Sequence, residues 1–157
     1  MKYFKYELWI NDNEAEWVEN DAEYTTYFEK IKDGFTEDFL ELYYTEQGFH
    51  DREINKILLT DSNTLLIELT NRKSGYIRIE YKGVKNFNFS NINNVDKGAQ
   101  IGQCLEWGYD EFEKRNESEL SHTVLTSCGL EFEITFESIN AFYTDEKLDA
   151  KGTAVFF

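Results

Sequence analysis

Proline is absent from this sequence, cysteine occurs only twice, and basic residues are scarce relative to acidic ones. Without proline, the chain has no Pro-rich linker of the kind that separates domains. A length of 157 residues suits one domain, which would bury about 70% of its unfolded surface. We therefore predict a single domain over residues 1–157.

The sequence also lacks the apolar stretches that direct a chain to or through a membrane. No apolar segment of about 7–15 residues follows the start at Met1, so we expect no secretory signal peptide. No run approaches the roughly 18 apolar residues of a membrane span. Without an export signal, Cys104 and Cys128 are expected to be reduced thiols. These observations predict a cytoplasmic protein.

The sequence does have a large excess of acid, with 31 Asp and Glu against 16 Lys and Arg and a net charge of −15. The excess lies at the two ends, because residues 1–51 carry −10, residues 52–100 carry +3 and residues 101–157 carry −8. A field of this sign repels a nucleic acid duplex and an anionic lipid surface, and it attracts a basic protein. We therefore expect no nucleic acid partner and no membrane partner.

Two helices are predicted in the first third of the chain. Residues 14–32 carry large apolar side chains seven, four and three positions apart, at Trp17, Tyr24, Phe28 and Ile31. This spacing places them on one stripe of a helix. Gly34 is expected to end that helix, and Thr36 to cap a second helix over about 37–46.

After Gly48 the pattern changes from helical to alternating. Short runs with an apolar residue at every second position are separated by polar turns, which is typical of an antiparallel meander. The runs predicted as strands are 54–59, 65–69, 77–81, 87–89, 105–109, 120–124 and 130–136. Residues 1–10 are a further candidate for a short strand. The sequence thus predicts an α+β fold, with N-terminal helices packed on an antiparallel β-meander of six or more strands.

The last predicted strand has the cleanest alternation in the sequence. One set of residues is Leu130, Phe132, Ile134 and Phe136, and the other is Glu131, Glu133, Thr135 and Glu137. Since successive strand residues point to opposite faces, one face of the sheet is expected to be packed and the other wet and acidic. The strand order and the role of the tail, residues 154–157, stay open.

Few residues point to catalysis or metal binding. His50 and Asp51 follow the second helix and could form half of an acid–base pair or one metal ligand, but a hydrogen-bonded corner is the favoured interpretation. His122 lies on the inward register and is expected to be a satisfied core residue. Neither cysteine is close enough in sequence to the other or to a histidine to anchor a zinc site, and Cys128 is expected to be a buried, inert thiol. We predict no cofactor and no metal.

A small basic group stands out against the acidic background: Arg72, Lys73, Arg78, Lys82 and Lys85. Interleaved with Tyr76, Tyr81 and Phe87, these residues could form a strand surface for single-stranded nucleic acid. We favour a solvated face, which could also pair with the acidic helices, because the remaining field opposes a polyanion.

Five short motifs are spread over most of the chain: M-K-Y-F at 1–4, F-H-D at 49–51, Y-D-E-F at 109–112, S-H at 121–122 and L-E-F-E-I-T-F at 130–136. Together they resemble an uncharacterised family of small bacterial cytosolic proteins, whose members open in the same way and carry an apolar–His–Asp step before a β-meander. That family has no established activity, so the resemblance implies no catalytic residue. In size and charge the sequence is also similar to the immunity proteins of bacterial toxin systems.

The leading hypothesis is a non-enzymatic, acidic protein-binding module, and its specific form is an immunity-type inhibitor of a basic bacterial toxin. Complementary charge would raise the association rate about 10- to 1,000-fold. The candidate partner-binding residues are Glu14, Glu16, Glu19, Glu23, Glu37 and Asp38.

Two alternatives stay open. A small enzyme would bring His50, Asp51 and His122 together in one concave pocket. A structural or self-associating protein would expose part of the aromatic surplus, 13 Phe, 10 Tyr and 3 Trp, as a surface patch. The sequence identifies neither a particular partner nor the oligomeric state.

Overall fold

The computed structural model describes residues 1–60, 63–71, 73–90 and 105–149, and the main chain of residues 154–155. The described helices are α1 Tyr6–Ile10, α2 Glu14–Ile31 and α3 Glu37–Thr45, with 3-10 turns at Lys32–Gly34 and Gln47–Phe49. Not one of these helices combines the length and the apolar character that a membrane crossing requires.

The two predicted helices are confirmed as α2 and α3. The apolar stripe of α2 faces the core, with Tyr24, Phe28 and Ile31 buried and Trp17 half buried. Thr36 caps α3, because its hydroxyl oxygen accepts the N–H of Phe39 at 3.2 Å. After α3, Gly48 adopts a φ of +66°, a left-handed conformation that turns the chain toward the sheet.

The expectation of a strand at residues 1–10 is wrong, because Tyr6–Ile10 forms the short helix α1. Helical spacing sets the rings of Tyr6 and Trp9 edge to face at 6.2 Å and lets Trp9 pack on Tyr109. A strand would have pointed these two side chains to opposite faces. The residues before α1 are held instead by Glu111, whose carboxylate accepts three main-chain N–H groups.

The described strands are β1 Arg52–Leu59, β2 Thr64–Thr70, β3 Tyr76–Lys82, β4 Asn86–Ser90, β5 Glu106–Lys114, β6 Leu120–Thr126, β7 Glu131–Phe136, β8 Ser138–Thr144 and β9 Ala154–Val155. The first seven confirm the strands predicted from alternation. Strand β8 does not follow from the pattern, because its alternation ends at the neighbouring aromatic residues Phe142 and Tyr143, which are both exposed. Strand β9, at the start of the tail, pairs with β1.

The strand order is β4-β7-β6-β5-β1-β2-β3-β8, with antiparallel pairing throughout. Two meanders, β1-β2-β3 and β5-β6-β7, meet where Arg52 and Glu53 of β1 pair with β5. Strand β3 leads into β4 and β7 into β8 after very short connections, so the pairs β3–β8 and β4–β7 form one bent ribbon. This ribbon joins the outer ends of the order and closes the sheet on itself. The antiparallel α+β fold is confirmed.

Phe112 of β5 lies at the centre of the core, where the helices meet the sheet. Four rings from the helical segment surround it at centroid distances of 4.8–5.9 Å: Phe28, Phe35, Phe39 and Tyr43. On the sheet side it stacks on His122 of β6 at 3.8 Å. The exposed large apolar side chains are Ile10, Val18, Tyr44, Phe142 and Tyr143. They belong to four different elements, and self-association stays a prediction.

The expectation of one wet, acidic sheet face is wrong at Glu131, which is buried and lies 3.1 Å from the main-chain nitrogen of Met1. Glu111 of β5 is buried as well. The chain before α1 covers this part of the sheet, so both carboxylates face main-chain N–H groups instead of water. Farther along β7, Glu133 is half buried and Glu137 is exposed, as alternation predicts.

Tyrosines of α2 satisfy the amides of β5 beyond its short pairing with β1. The N–H of Phe112 donates to the hydroxyl oxygen of Tyr24 at 2.6 Å, and the N–H of Lys114 donates to that of Tyr27 at 3.0 Å. A main-chain donor away from water needs an acceptor. These two bonds therefore hold α2 against β5 and position the two elements that form the cavity described next.

Candidate functional site

A cavity of about 440 Å³ lies between α2, α3 and β5, within the roughly 300–1,000 Å³ typical of small-ligand sites. Aromatic side chains form most of its wall: Phe4, Tyr24, Phe28, Tyr43, Tyr44 and Tyr109. The polar side chains of the wall are Asp21, Thr25, Glu29, Gln47, His50 and Asp110. Neither Lys nor Arg is among the described residues that line it.

Asp110 is the buried carboxylate of this cavity, with 6% of the residue exposed. Its two oxygens accept from the hydroxyl of Tyr43 at 3.1 and 3.0 Å, and its Oδ2 lies 2.7 Å from Nε2 of His122. Gly48 borders the same carboxylate, because a Cβ built on it would lie 3.3 Å from Oδ1. The missing side chain at Gly48 keeps Asp110 open to the cavity.

His122 connects Asp110 to the interior of the sheet. Its ring is fully buried, and Nδ1 lies 2.8 Å from the hydroxyl of Tyr81. Because a carboxylate accepts hydrogen bonds, Nε2 carries the proton and Nδ1 accepts from Tyr81. The result is a buried chain of four side chains, Tyr81–His122–Asp110–Tyr43, which reaches the cavity at Asp110 and Tyr43.

Burial sets the protonation of this chain. Burial lowers the pKa of His122, and the hydrogen bond and charge of Asp110 oppose the shift without reversing it. Burial, with the charge of Asp110, also raises the pKa of Tyr43 and of Tyr81 well above the usual range. The imidazole is therefore neutral and both hydroxyls keep their protons near neutral pH.

Tyr109 forms the wall between this cavity and a second groove beside α1. Its ring contacts four others at centroid distances of 4.3–5.5 Å: Phe4, Trp9, Trp17 and His50. Burial raises the pKa of Tyr109, and the negative charges of Asp51 and Asp21 raise it further. Two carboxylates therefore act on one ring, and the field around the cavity mouth is negative.

Of the three residues considered for an enzymatic site, only His50 lines the cavity. Its Nδ1 lies 2.9 Å from Oδ1 of Asp51, whose side chain is 63% exposed. His122 lies behind Asp110 in the core, and its expected status as a satisfied core residue is confirmed. His50 thus lies at the cavity, whereas His122 lies in the core and contacts Asp110, and the enzymatic alternative stays a hypothesis.

The four predicted partner-binding residues of α2 are all exposed: Glu14, Glu16, Glu19 and Glu23. Glu19 and Glu23 border a groove that Tyr3 and Tyr27 also line, and Glu14 borders the separate groove beside α1. The helix carries six acidic residues and one basic residue, Lys30. Its outer surface is therefore strongly acidic.

The two predicted partner-binding residues of α3, Glu37 and Asp38, are exposed in its first turn. Negative charge is favourable there because it faces the positive end of the helix dipole. Asp38 borders a groove between α3 and β8, different from the groove of Glu19 and Glu23. The six carboxylates thus form two groups, one on each helix.

Among the described residues, no three or more His, Cys, Asp or Glu side chains are grouped so that they could hold a metal ion. Cys128 is a buried thiol, as expected, with Sγ 3.3 Å from Oγ1 of Thr126. Cys104 lies outside the described residues.

Three residues of the basic group pair with carboxylates in or next to the sheet, and not with the helices considered as their partners. The pairs are Arg78–Glu68 at 3.5 Å, Lys82–Glu80 at 3.0 Å and Lys85–Glu137 at 2.6 Å. Lys73 is exposed, and Arg72 lies outside the described residues. Internal pairing uses much of the positive charge that a nucleic acid would need.

Sequence reasoning missed Asp110, Tyr43 and Tyr109 as site residues. A signal for Asp110 exists, because it lies beside a second acid in the aromatic strand segment W-G-Y-D-E-F. A carboxylate in such a strand needs polar partners when it is buried. No comparable signal exists for the two tyrosines, since aromatic residues at helical or strand spacing are expected in any core.

No family model matches the chain, and no curated protein matches it. A solved structure of an uncharacterized protein from Neisseria gonorrhoeae is similar to part of the chain, with 21% sequence identity and a TM-score of 0.46. The similar region covers 61% of this chain and 94% of that one. The comparisons assign no function.

Proposed function

We propose that this protein is a non-enzymatic binding module that takes a basic protein as its partner in the bacterial cytoplasm. The observation that carries the proposal is the exposed acidic surface of α2, where six acidic residues accompany one basic residue. Such a surface speeds encounter with a basic partner and repels phosphate backbones and anionic lipids.

The carboxylates of α2 are largely unused within the protein. Glu14, Glu19 and Glu23 form no ion pair among the described residues, whereas carboxylates of the sheet such as Glu80 and Glu137 pair with lysines. An uncompensated set of like charges raises the self-repulsion of the folded chain. A basic partner would relieve that repulsion, which supports binding at this surface.

The specific form of the proposal is an immunity-type inhibitor. A toxin nuclease has a basic active site that receives phosphates, and an acidic helix would be attracted to the same charges. Steering by charge would raise the association rate about 10- to 1,000-fold and would weaken as salt screens the field.

Affinity capture from the native host at low salt, followed by a salt step and mass spectrometry, tests the proposal. We expect one basic protein at stoichiometric yield, with Glu16→Lys plus Glu23→Lys weakening the complex about tenfold or more. The matched control is Asp145→Lys plus Asp149→Lys, two exposed acids after β8 that change the net charge equally.

Two results would contradict the proposal. One is capture of no basic protein at any salt concentration. The other is equal weakening by both double variants, since only net charge would then matter and α2 would have no specific role.

A further inference from the structure

We propose that the cavity between α2, α3 and β5 receives a cationic side chain, the ammonium of Lys or the guanidinium of Arg, from the basic partner. That the side chain comes from a protein partner rests on the proposed function, whereas the preference of the cavity for a cation does not. The proposal therefore adds to the acidic surface of α2 a defined pocket with a defined occupant.

The charge of the wall favours a cation. Asp21, Glu29 and Asp110 contribute three carboxylates, and no described Lys or Arg lines the cavity. Glu29 is partly compensated, because Lys32 lies beside it as an exposed ion pair. Asp21 is exposed and forms no ion pair among the described residues, so its charge remains at the mouth. An anionic ligand would meet the same carboxylates and be repelled.

The aromatic wall favours an organic cation with an alkyl stem over a hydrated metal ion. Phe4, Tyr24, Tyr44 and Tyr109 present rings to the cavity. Cations are attracted to ring faces within about 6 Å, and an apolar stem gains from the same surface. Tyr44 is 54% exposed, which is unusual for a large aromatic residue in this chain, and it lies where a ring could cover an incoming side chain.

Within the cavity, Asp110 is the buried carboxylate that would pair with the charged end of the incoming side chain. Asp110 is held in place by Tyr43 and His122, so it does not need to reorganise when a cation arrives. Gly48 lies beside Oδ1, where a Cβ would approach to 3.3 Å, so the glycine leaves room next to this carboxylate. The pocket has carboxylates both at its mouth and on its wall. The long, flexible side chain of Lys or Arg suits it because such a side chain can reach from one to the other.

The first test uses small probes and does not require the partner. We would titrate n-butylamine and n-butylguanidine into the ¹⁵N-labelled protein at constant ionic strength and follow the amides of Gly48 and Gly108, both at the cavity. Neutral n-butanol and anionic butyrate are the matched controls. We expect saturable shifts for the two cations at concentrations on the order of 1 mM or higher, and none for the controls.

Substitutions of residues in the cavity wall test whether the probes bind there. Asp21→Asn and Tyr44→Leu are each expected to weaken probe binding about threefold, because they remove a charge and a ring face. Asp33→Asn removes an exposed charge from the turn after α2 and should bind as the wild type does, whereas Tyr44→Phe keeps the ring and should recover most of the binding that Tyr44→Leu loses. Exposed positions were chosen so that the variants remain folded, which urea unfolding would verify.

The outcomes separate this inference from the proposed function. Absence of binding by the cations, or equal binding by n-butanol, overturns the inference. If a captured partner is lost on Asp21→Asn plus Tyr44→Leu and displaced by n-butylguanidine, both the site and its occupant are supported. If a salt-sensitive partner is unaffected by that double variant, the occupant is wrong while the proposed function stands. If the probes bind but no partner exists, a free amine is the occupant and the proposed function fails.

Discussion

The buried chain of Tyr81, His122, Asp110 and Tyr43 places four polar side chains in an aromatic core, each hydrogen bonded to the next. A buried polar group is costly unless it is paired, and a complete set of partners removes that cost. The arrangement needs a neutral imidazole, because only then does one ring nitrogen donate while the other accepts. The protonation of one residue is therefore linked to the stability of the fold.

At this scale we predict that unfolding becomes easier as the pH falls below about 6.5, the ordinary pKa of histidine. Burial lowers the pKa of His122 in the folded state. As the pH falls below the ordinary pKa of histidine, this imidazole therefore binds a proton first in the unfolded chain, which favours unfolding. Above that pKa the imidazole is neutral in both the folded and the unfolded chain, and its contribution to the free energy of unfolding does not change with pH. The slope from one such group is at most about 1.4 kcal/mol per pH unit.

Urea unfolding between about pH 5.5 and 7.5 measures this effect. His122→Gln, which can still donate to Asp110 and accept from Tyr81, should flatten the pH dependence even if it lowers stability. Equal slopes for the wild type and His122→Gln would contradict the assignment.

At the scale of elements, the chain before α1 is held to the sheet by one carboxylate. Glu111 accepts the N–H groups of Lys2 at 2.8 Å, Tyr3 at 2.6 Å and Phe4 at 2.7 Å. A carboxylate suits three donors because both of its oxygens only accept. The same segment places Phe4 and Tyr3 against α2, so it links that helix to the sheet.

We predict that Glu111→Gln destabilises the protein by about 1.5–3 kcal/mol, because the NH₂ group of Gln would face main-chain donors. Urea unfolding gives the change in free energy, and hydrogen exchange at Tyr3 and Phe4 should accelerate. Glu113→Gln, an exposed residue two positions along the same strand, is the control and should change stability by less than about 0.5 kcal/mol. A similar loss in both variants would show that charge on β5 matters and the three bonds do not.

At the scale of the whole molecule, a closed antiparallel sheet supports a surface with a net charge of −15. Three basic residues from the middle of the chain pair with carboxylates in or next to the sheet, and α2 carries six acidic residues and one basic residue. Like charges on a compact surface repel one another. Added salt shortens the Debye length and so weakens that repulsion. The charge distribution therefore acts against the compact fold, most strongly at low salt.

We predict that raising NaCl from about 0.02 to 0.3 M increases the melting temperature by roughly 2–6 °C. Glu16→Gln, Glu19→Gln and Glu23→Gln combined should melt higher at low salt and gain less from added salt. The control is Glu80→Gln plus Glu137→Gln, which removes carboxylates already paired with lysines and should not be stabilising. A melting temperature that falls with salt would mean that attractive pairs dominate the surface.

The periodicity of apolar residues was sufficient to predict most helices and strands, because it depends only on spacing within a short segment. The stripe from Trp17 to Ile31 and the alternation from residue 130 to 136 each identify the face that must leave water. Periodicity failed where distant contacts decide. Residues 6–10 are helical because Trp9 packs on Tyr109, and Glu131 is buried because the first residues of the chain cover it.

The amino-acid sequence by itself determined the α+β class, the two main helices, seven strands and the acidic surface of α2, because these depend on composition and on spacing within short segments. Only the tertiary structure decided the closure of the sheet through the β3–β8 and β4–β7 ribbon, and the meeting of Asp110 with Tyr43 and His122. Those contacts join residues that are 12 to 67 positions apart. Pairings at such separations depend on how whole elements pack, which no local pattern encodes.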